Sequence, residues 1–281
     1  MNDVRALILA RGLARRMREP DVDVVLGPLQ AQAAEAGLKA MMPIEASDGL
    51  SGEHEPRPFL DYVISSLADA GYHDVGVVIG PEHDWIRDRY AQDAIPRRVR
   101  LSWIVQAEPR GTANAVLAAE AWAGASPFVV VNADNLYPMA VLAAMRALGE
   151  PGLPAFERDD LVRSSHILRE KVASFALLHA DDEGYLTGIV EKPGEAVMDA
   201  AGPRALVSMN CWRFDARIFE SCRDVPLSPR GELELPLAVG LAMVRGVRFR
   251  TVPATGEVID LSRRADVAQV STRLAGRTPR L

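Results

Sequence analysis

Ala6-Leu7-Ile8-Leu9-Ala10-Arg11-Gly12-Leu13-Ala14-Arg15-Arg16-Met17 is the stretch from which the fold follows. Its first four residues form an apolar run without polar alternation, the pattern of a strand buried on both faces. The run breaks at Gly12 into a small-residue loop that ends in two arginines. In α/β proteins a buried first strand delivers such a loop to the carboxyl edge of the sheet, where ligands bind. Backbone N–H groups in a tight turn cradle phosphate, and arginine adds a planar charged fork. A plain turn has the same composition, so the loop alone does not decide function.

Downstream, helix and strand patterns alternate. Phe59 to Ala70 carries apolar residues at 60, 63, 64 and 67, the period of an amphipathic helix, with Gly71 as its stop. Val75–Ile79 reads as a strand, 82–90 as a helix, and Val99–Val105 as a strand ending at Gln106. Thr112–Ala123 reads as a helix closed by Gly124. Phe128–Val131 is a third core strand that runs into Asn132-Ala133-Asp134-Asn135. This alternation implies an α/β fold with a mixed, mostly parallel central sheet flanked by helices.

The second half changes character. Ala173–His179 and Tyr185–Val190 flank Ala180-Asp181-Asp182-Glu183-Gly184, a hairpin signal, and deliver Glu191-Lys192-Pro193. Leu206–Phe214 reads as one strand, Ala216–Cys222 as a helix, and Gly231 opens a helix running to about Val244. Strands at Val247–Val252 and Val258–Asp260 and a helix at Arg263–Leu274 complete the pattern. The reading is one domain over residues 1–281, with an antiparallel addition and no internal repeat. The polar stretch Glu45 to Pro58 reads as a surface loop, either a featureless insertion or a lid, the insertion being favoured.

Composition narrows the classes. The 281 residues are 48% hydrophobic and 25% charged, ordinary for a globular chain. A net charge of −6 argues against general nucleic-acid binding but not against a local cationic pocket. Cys211 and Cys222 are the only cysteines and have no metal-like spacing. No apolar run reaches membrane length and the first residues lack a signal pattern, so a cytoplasmic protein without membrane contact is expected. Of 32 basic residues only Lys39, Lys171 and Lys192 are lysine, so a lysine at a motif position carries weight.

Arg16, the turn Gln106 to Thr112, Asp134 and Lys192 fall at strand ends or in the loops after them, and Lys39 and Asp260 join them. Basic groups with two separated carboxylates suit a magnesium–phosphate reaction. Each residue has a plainer reading as well. Asp134 suits a helix cap, Asp260 a salt bridge, and Lys192 an exposed edge position.

The ordered segments LARGLARRM, LKAMMPI, VQAEPRGTANAV, VVVNADN, GIVEKP, VSMNCWRF, RGELELPLAV and VIDLSRRADV resemble the sugar-1-phosphate nucleotidylyltransferases across nearly the whole chain. RGELEL adds a likeness to the hexose-1-phosphate thymidylyl- and uridylyltransferases. The resemblance implies a Rossmann-like nucleotidyltransferase core, with a nucleotide-binding half in residues 1–135 and an acceptor-binding half in 136–281. It implies transfer of a nucleoside monophosphate from an NTP to a sugar-1-phosphate with release of pyrophosphate. Arg16, Lys39 and Lys192 would act in catalysis, and Asp134 and Asp260 would hold Mg²⁺. Leu9, Ala10, Arg11, Gly12, Gln106, Gly111 and Thr112 would bind the nucleotide, and Glu191, Lys192 and Asn210 the acceptor. The partners are then an NTP and a small phosphorylated compound, with room for a homo-oligomer.

Gln106 points to UTP or dTTP ahead of GTP, although guanine also presents N–H and C=O groups and the plainer reading of Gln106 is a solvated strand end. Its amide offers an acceptor and a donor to the edge shared by uracil and thymine, with Gly111 leaving room for a flat ring. Departures from the family's pattern fall at Arg11, Ala14 and Arg15, in the longer spacing from Arg16 to Lys39, and at Ser208-Met209-Asn210-Cys211-Trp212. They keep open a non-catalytic nucleotide-sugar-binding regulatory relative and an acceptor such as a cyclitol phosphate. A dinucleotide-binding oxidoreductase is disfavoured, because G-x-G-x-x-G is absent after Leu9.

Overall fold

In the computed structural model, residues 4–12, 14–44, 55–165 and 167–281 are described. The expected loop Glu45 to Pro58 lies mostly outside them. In chain order the strands are β1 (Arg5–Leu9), β2 (Pro43–Ile44), β3 (Arg57–Pro58), β4 (Asp74–Ile79), β5 (Arg100–Val105), β6 (Phe128–Asn132) and β7 (Asn135–Leu136). They continue with β8 (Gly152–Glu157), β9 (Ala176–Ala180), β10 (Leu186–Val190), β11 (Leu206–Ser208), β12 (Trp212–Phe214), β13 (Arg250–Ala254) and β14 (Ile259–Asp260).

The main sheet runs β10-β9-β11-β8-β12-β6-β1-β4-β5, with β13 also paired to β8. Strands β6, β1, β4 and β5 are mutually parallel. Strands β9 to β12 form the antiparallel addition. Side chains of the parallel strands alternate between two cores, which is why each strand reads as an unbroken apolar run. Ala6, Ile8, Val77, Val129 and Val131 face one core, together with the helices Phe59–Asp69, Met139–Ala147 and Asp266–Leu274. Leu7, Val78, Phe128 and Val130 face the other, with Thr112–Ala118, Arg217–Asp224 and Leu235–Val244. The expected apolar stripe at 60, 63, 64 and 67 is buried. Among the described residues no helix is long and apolar enough to cross a membrane.

Several boundaries differ from the sequence reading, each for a local reason. The single helix expected over Thr112–Ala123 is two, Thr112–Ala118 and Glu120–Ala123, separated at Ala119. The helix expected from Gly231 begins at Leu235, because residues 232–235 are used as a strap. There Leu233 N–H donates to Arg110 O (2.7 Å), Ala113 N–H to Leu233 O (2.9 Å), and Leu235 N–H to the Thr112 hydroxyl (2.9 Å).

The strand expected over Leu206–Phe214 is β11 and β12 on the same edge of β8, interrupted at 209–211. Register slips by two residues across the interruption, between Val207↔Phe156 and Arg213↔Gly152. Asn210 sits there with φ 58°. The sequence reading passed over β8 and the helix Met139–Ala147. Gly152 and Pro154 in β8 argue against a strand by composition, yet the strand is buried from Gly152 to Phe156.

Gly152 is needed where it stands. A Cβ there would run into the carbonyl oxygen of Arg250, its partner in β13. Gly152→Ala should therefore force β13 away and cost about 1–3 kcal/mol of stability, the scale of overpacking. Urea unfolding measures this, and an unchanged midpoint would contradict it.

Candidate functional site

Because β1, β5 and β6 are parallel, the loops after Leu9, Val105 and Asn132 emerge at one carboxyl edge of the sheet. The antiparallel addition faces that edge and closes the far side of a cavity of about 670 Å³. Every residue singled out by the motifs lines this cavity. Leu9 ends β1, Ala10, Arg11 and Gly12 follow it, and Arg16 lies in the short helix after them. Lys39 is in a 3₁₀ turn, Gln106 and Gly111 are in the loop after β5, and Thr112 starts the next helix. Asp134 follows β6, Glu191 and Lys192 follow β10, Asn210 comes from the β11–β12 interruption, and Asp260 ends β14. Ala14, Lys192 and Asn210 are the non-glycine residues with positive φ among the described residues, and all three line the cavity. Such backbone costs an L-residue roughly 1–2 kcal/mol and tends to gather at functional sites.

The two carboxylates that are 126 positions apart are brought together by the β7–β14 pair. Asp260 lies opposite Asn135, and Leu261 N–H donates to Asp134 O at 2.8 Å. Each carboxylate meets a lysine. Lys39 Nζ contacts Asp134 Oδ2 at 2.9 Å, and Lys171 forms an ion pair with Asp260. Asp260 also accepts from the Ser262 hydroxyl (2.9 and 3.0 Å) and from Asn135 Nδ2 (3.0 Å). The plainer reading of Asp260 as an ion-pair partner is thus realised, inside the cavity. Two hard carboxylates, one in the turn between β6 and β7 and one at the end of β14, suit a hard divalent cation. Among the described residues no group of three or more His, Cys, Asp or Glu assembles, so a cation here would take its remaining ligands from phosphate or water.

In the first loop, Arg11 is not free for phosphate. Its guanidinium donates to Gln106 O and to both Glu82 oxygens, at 3.2–3.3 Å for the latter. It therefore ties the loop to the end of β5, while Arg15 and Arg16 remain as cations lining the cavity.

Gln106 and Gly111 correct the physical reasons given for them from sequence. Gln106 is buried, and its Nε2 donates to Gly111 O (3.2 Å) and to Asn114 Oδ1 (2.8 Å). With its donors used, it offers a base only its Oε1 acceptor. Gly111 has φ 119°, and a Cβ there would come within 2.9 Å of the N, C and O atoms of Leu233. The missing side chain admits the strap, not a base on that face.

Sequence reasoning missed Asn114, Lys171 and Arg230. Rarity of lysine was a usable signal for Lys171, and the RGELEL segment was one for Arg230. Arg230 lines the cavity and donates to Glu234 Oε1 (2.8 and 3.0 Å). Burial raises the Glu191 carboxyl above its ordinary range, and the charge of Glu234 adds to this, with Arg230 and Lys192 opposing. At Glu234 burial acts in the same upward sense but is outweighed, by hydrogen bonds from Ser228 and Arg230 and by the charges of Arg230 and Lys192, so its carboxyl lies low.

The nucleotidyl transferase family model matches residues 51–256. The chain belongs to the nucleotidyl transferase family. The match begins after the first loop. Within this family the chain is 27% identical to a glucose-1-phosphate thymidylyltransferase of Streptomyces antibioticus, covering 80% of this chain and 60% of that protein. It is 24% identical to a UTP–glucose-1-phosphate uridylyltransferase of Haloferax volcanii, covering 80% and 87% respectively. For three curated relatives it spans 57–65% of their length. A UDP-glucose pyrophosphorylase solved with UDP-glucose shares the fold, with a TM-score of 0.70 over 96% of this chain and 97% of that one at 19% identity. The expected family and mixed, mostly parallel architecture are thus those observed.

The Glu191 shift gives a pH prediction. A carboxylate with a raised folded pKa destabilises the folded state once pH exceeds its unfolded value, fully so above the folded pKa. Glu191→Gln should therefore raise Tm at pH 7–8, and the gain should vanish as pH falls below about 4.5. A gain that grows towards acid pH would contradict the assignment.

Proposed function

We propose that this chain transfers a nucleoside monophosphate from an NTP to a sugar-1-phosphate, forming an NDP-sugar and pyrophosphate. The observation that carries the reading is the convergence of arginines, lysines and the Asp134–Asp260 pair on one cavity. Residues 1–135 would supply most of the nucleotide site and residues 136–281 most of the acceptor site, in one nucleotidyltransferase domain.

In this reading an oxygen of the acceptor phosphate attacks the α-phosphorus and pyrophosphate leaves. The acceptor is already an anion, so no protein nucleophile is required, and catalysis is positioning and charge stabilisation. Arg16, with Arg15 beside it, would hold the leaving phosphates, and Lys39 the α-phosphate. Lys192 would hold the acceptor phosphate, Glu191 a sugar hydroxyl, and Asn210 the sugar edge. Backbone groups of Leu9, Ala10, Arg11 and Gly12, and of Gly111 and Thr112, would frame the nucleoside. Asp134 and Asp260 would hold a Mg²⁺ ion, which when bound neutralises phosphate charge.

UTP or dTTP is the proposed donor. The Gln106 Oε1 acceptor suits a ring N–H, which uracil, thymine and guanine carry and adenine lacks. The names of the thymidylyl- and uridylyltransferase relatives favour the pyrimidines over guanine.

A second reading, a nucleotide-sugar-binding regulatory relative, is favoured by the commitment of Arg11 to Glu82 and Gln106. One assay separates the two: pyrophosphate release from UTP, dTTP, GTP, CTP and ATP against a panel of sugar-1-phosphates and cyclitol phosphates. The enzyme reading expects turnover, with UTP or dTTP preferred and ATP poorest. Asp134→Asn should lower kcat by roughly 10²-fold or more, the scale of losing a main electrostatic stabiliser. Lys192→Ala should weaken acceptor use while leaving NTP binding nearly intact by calorimetry. No turnover with any pair would favour the binder, and near-normal turnover in Asp134→Asn would remove that residue from the mechanism.

A further inference from the structure

Lys171 is the lysine outside every motif, and its ammonium lies between Asp260 and Asp266. The Asp266 contact is 3.2 Å, and side-chain exposures are 11% for Lys171, 6% for Asp260 and 8% for Asp266. Asp266 is itself fixed, accepting from Ser262 N–H (2.8 Å) and Arg263 N–H (2.9 Å). Ser262 and Asn135 supply further donors to Asp260. The ammonium is therefore built into the wall behind one of the two carboxylates proposed to hold the cation.

Charge bookkeeping gives this placement a consequence. The carboxylates of Asp134, Asp260 and Asp266 face the ammoniums of Lys39 and Lys171 and the guanidinium of Arg263, 3.6 Å from Asp266, so no net negative charge is left over. A divalent cation entering alone would add positive charge with nothing to balance it, and it would compete with Lys171 for Asp260 in a poorly solvated wall. Entering with a triphosphate, the same cation brings its own anionic partner and needs less negative charge from the protein.

We propose that Lys171 is a positioning residue that holds Asp260 and acts as an internal cation, so that the divalent ion binds together with the nucleotide and only weakly without it. This rests on the assignment of Asp134 and Asp260 as the cation ligands. Replacing Lys171 by a neutral side chain removes the positive charge beside Asp260 and so favours a divalent ion there.

The test is Mn²⁺ binding to the full chain without nucleotide, followed by calorimetry and by the paramagnetic signal of free Mn²⁺. Lys171→Met should bind Mn²⁺ at least about tenfold more tightly than the unaltered chain, a modest effect for removing a unit charge a few ångströms away. Lys171→Arg, which keeps the charge, should behave as the unaltered chain. Mn²⁺ should also raise the Tm of Lys171→Met far more than that of the unaltered chain. If Lys171→Met folds only when Mn²⁺ is added, that rescue supports the proposal. Equal or weaker Mn²⁺ binding in Lys171→Met, or a misfolded variant that Mn²⁺ does not rescue, overturns it. Adding Asp134→Asn to Lys171→Met tells the two readings apart. Tight Mn²⁺ binding that survives Asp134→Asn removes the cation assignment itself. Asp134-dependent binding that is indifferent to residue 171 removes only the role of Lys171.

Discussion

The site depends on β6 being paired along both edges, in parallel with β1 and antiparallel with β12. A strand held on both sides cannot slip without moving every buried valine to the wrong face. Its last residues therefore arrive at the carboxyl edge in a fixed position, with Asn132, Ala133 and Asp134 lining the cavity. β12 is the continuation of β11 past the two-residue slip at Asn210, so the pairing that fixes Asp134 also presents Met209 and Asn210 from the other side. A buried hydrogen bond reinforces this link, from the Tyr137 hydroxyl to Met209 O at 2.6 Å. The cavity walls built by residues 1–135 and by residues 136–281 are in this way referred to one strand.

Arginine and lysine divide their work in this chain. Many arginines serve as structural forks, using several donors in one plane. Arg213 donates to Met145 O and Arg146 O, both at 2.9 Å, near the C-terminal end of the helix Met139–Ala147. Arg158 holds Met198 O and Asp199. Arg248 and Arg250 lie 3.5 and 3.7 Å from the Tyr185 ring centre and pin the hairpin tip. Arg11 belongs to this class too, tying the first loop to Glu82 and to the end of β5. The three lysines instead line the cavity or neutralise one of its carboxylates. A compact ammonium suits a place where charge must be balanced at a point.

Much of the site could be read from residue order, because its residues stand at the ends of apolar runs or beside them. Phe128–Val131 running into Asp134, and Tyr185–Val190 running into Glu191-Lys192, locate those groups from local pattern alone. Gln106 shows where such reading stops. Its position at the end of β5 is encoded locally, but the loss of its donors to Gly111 O and Asn114 Oδ1 requires the following turn to fold back. Gly111 is similar: its need for glycine comes from Leu233, more than a hundred residues away. β8 was invisible because Gly152 and Pro154 contradict strand propensity, and only its pairing with β11, β12 and β13 overrides that.

By itself, then, the sequence determined the alternation of buried strands and amphipathic helices, the parallel half of the sheet, and the residues presented at its carboxyl edge. These depend on burial periodicity and on short-range turn chemistry, both carried by neighbouring residues. Tertiary structure alone decided the partners: Asp260 beside Asp134, Lys171 on Asp260, Arg11 on Gln106, and Leu233 against Gly111. Pairings of this kind join groups far apart in the chain, and ionic and close-packed contacts leave no periodic trace in sequence. They exist only once the sheet and its two cores have set the distances.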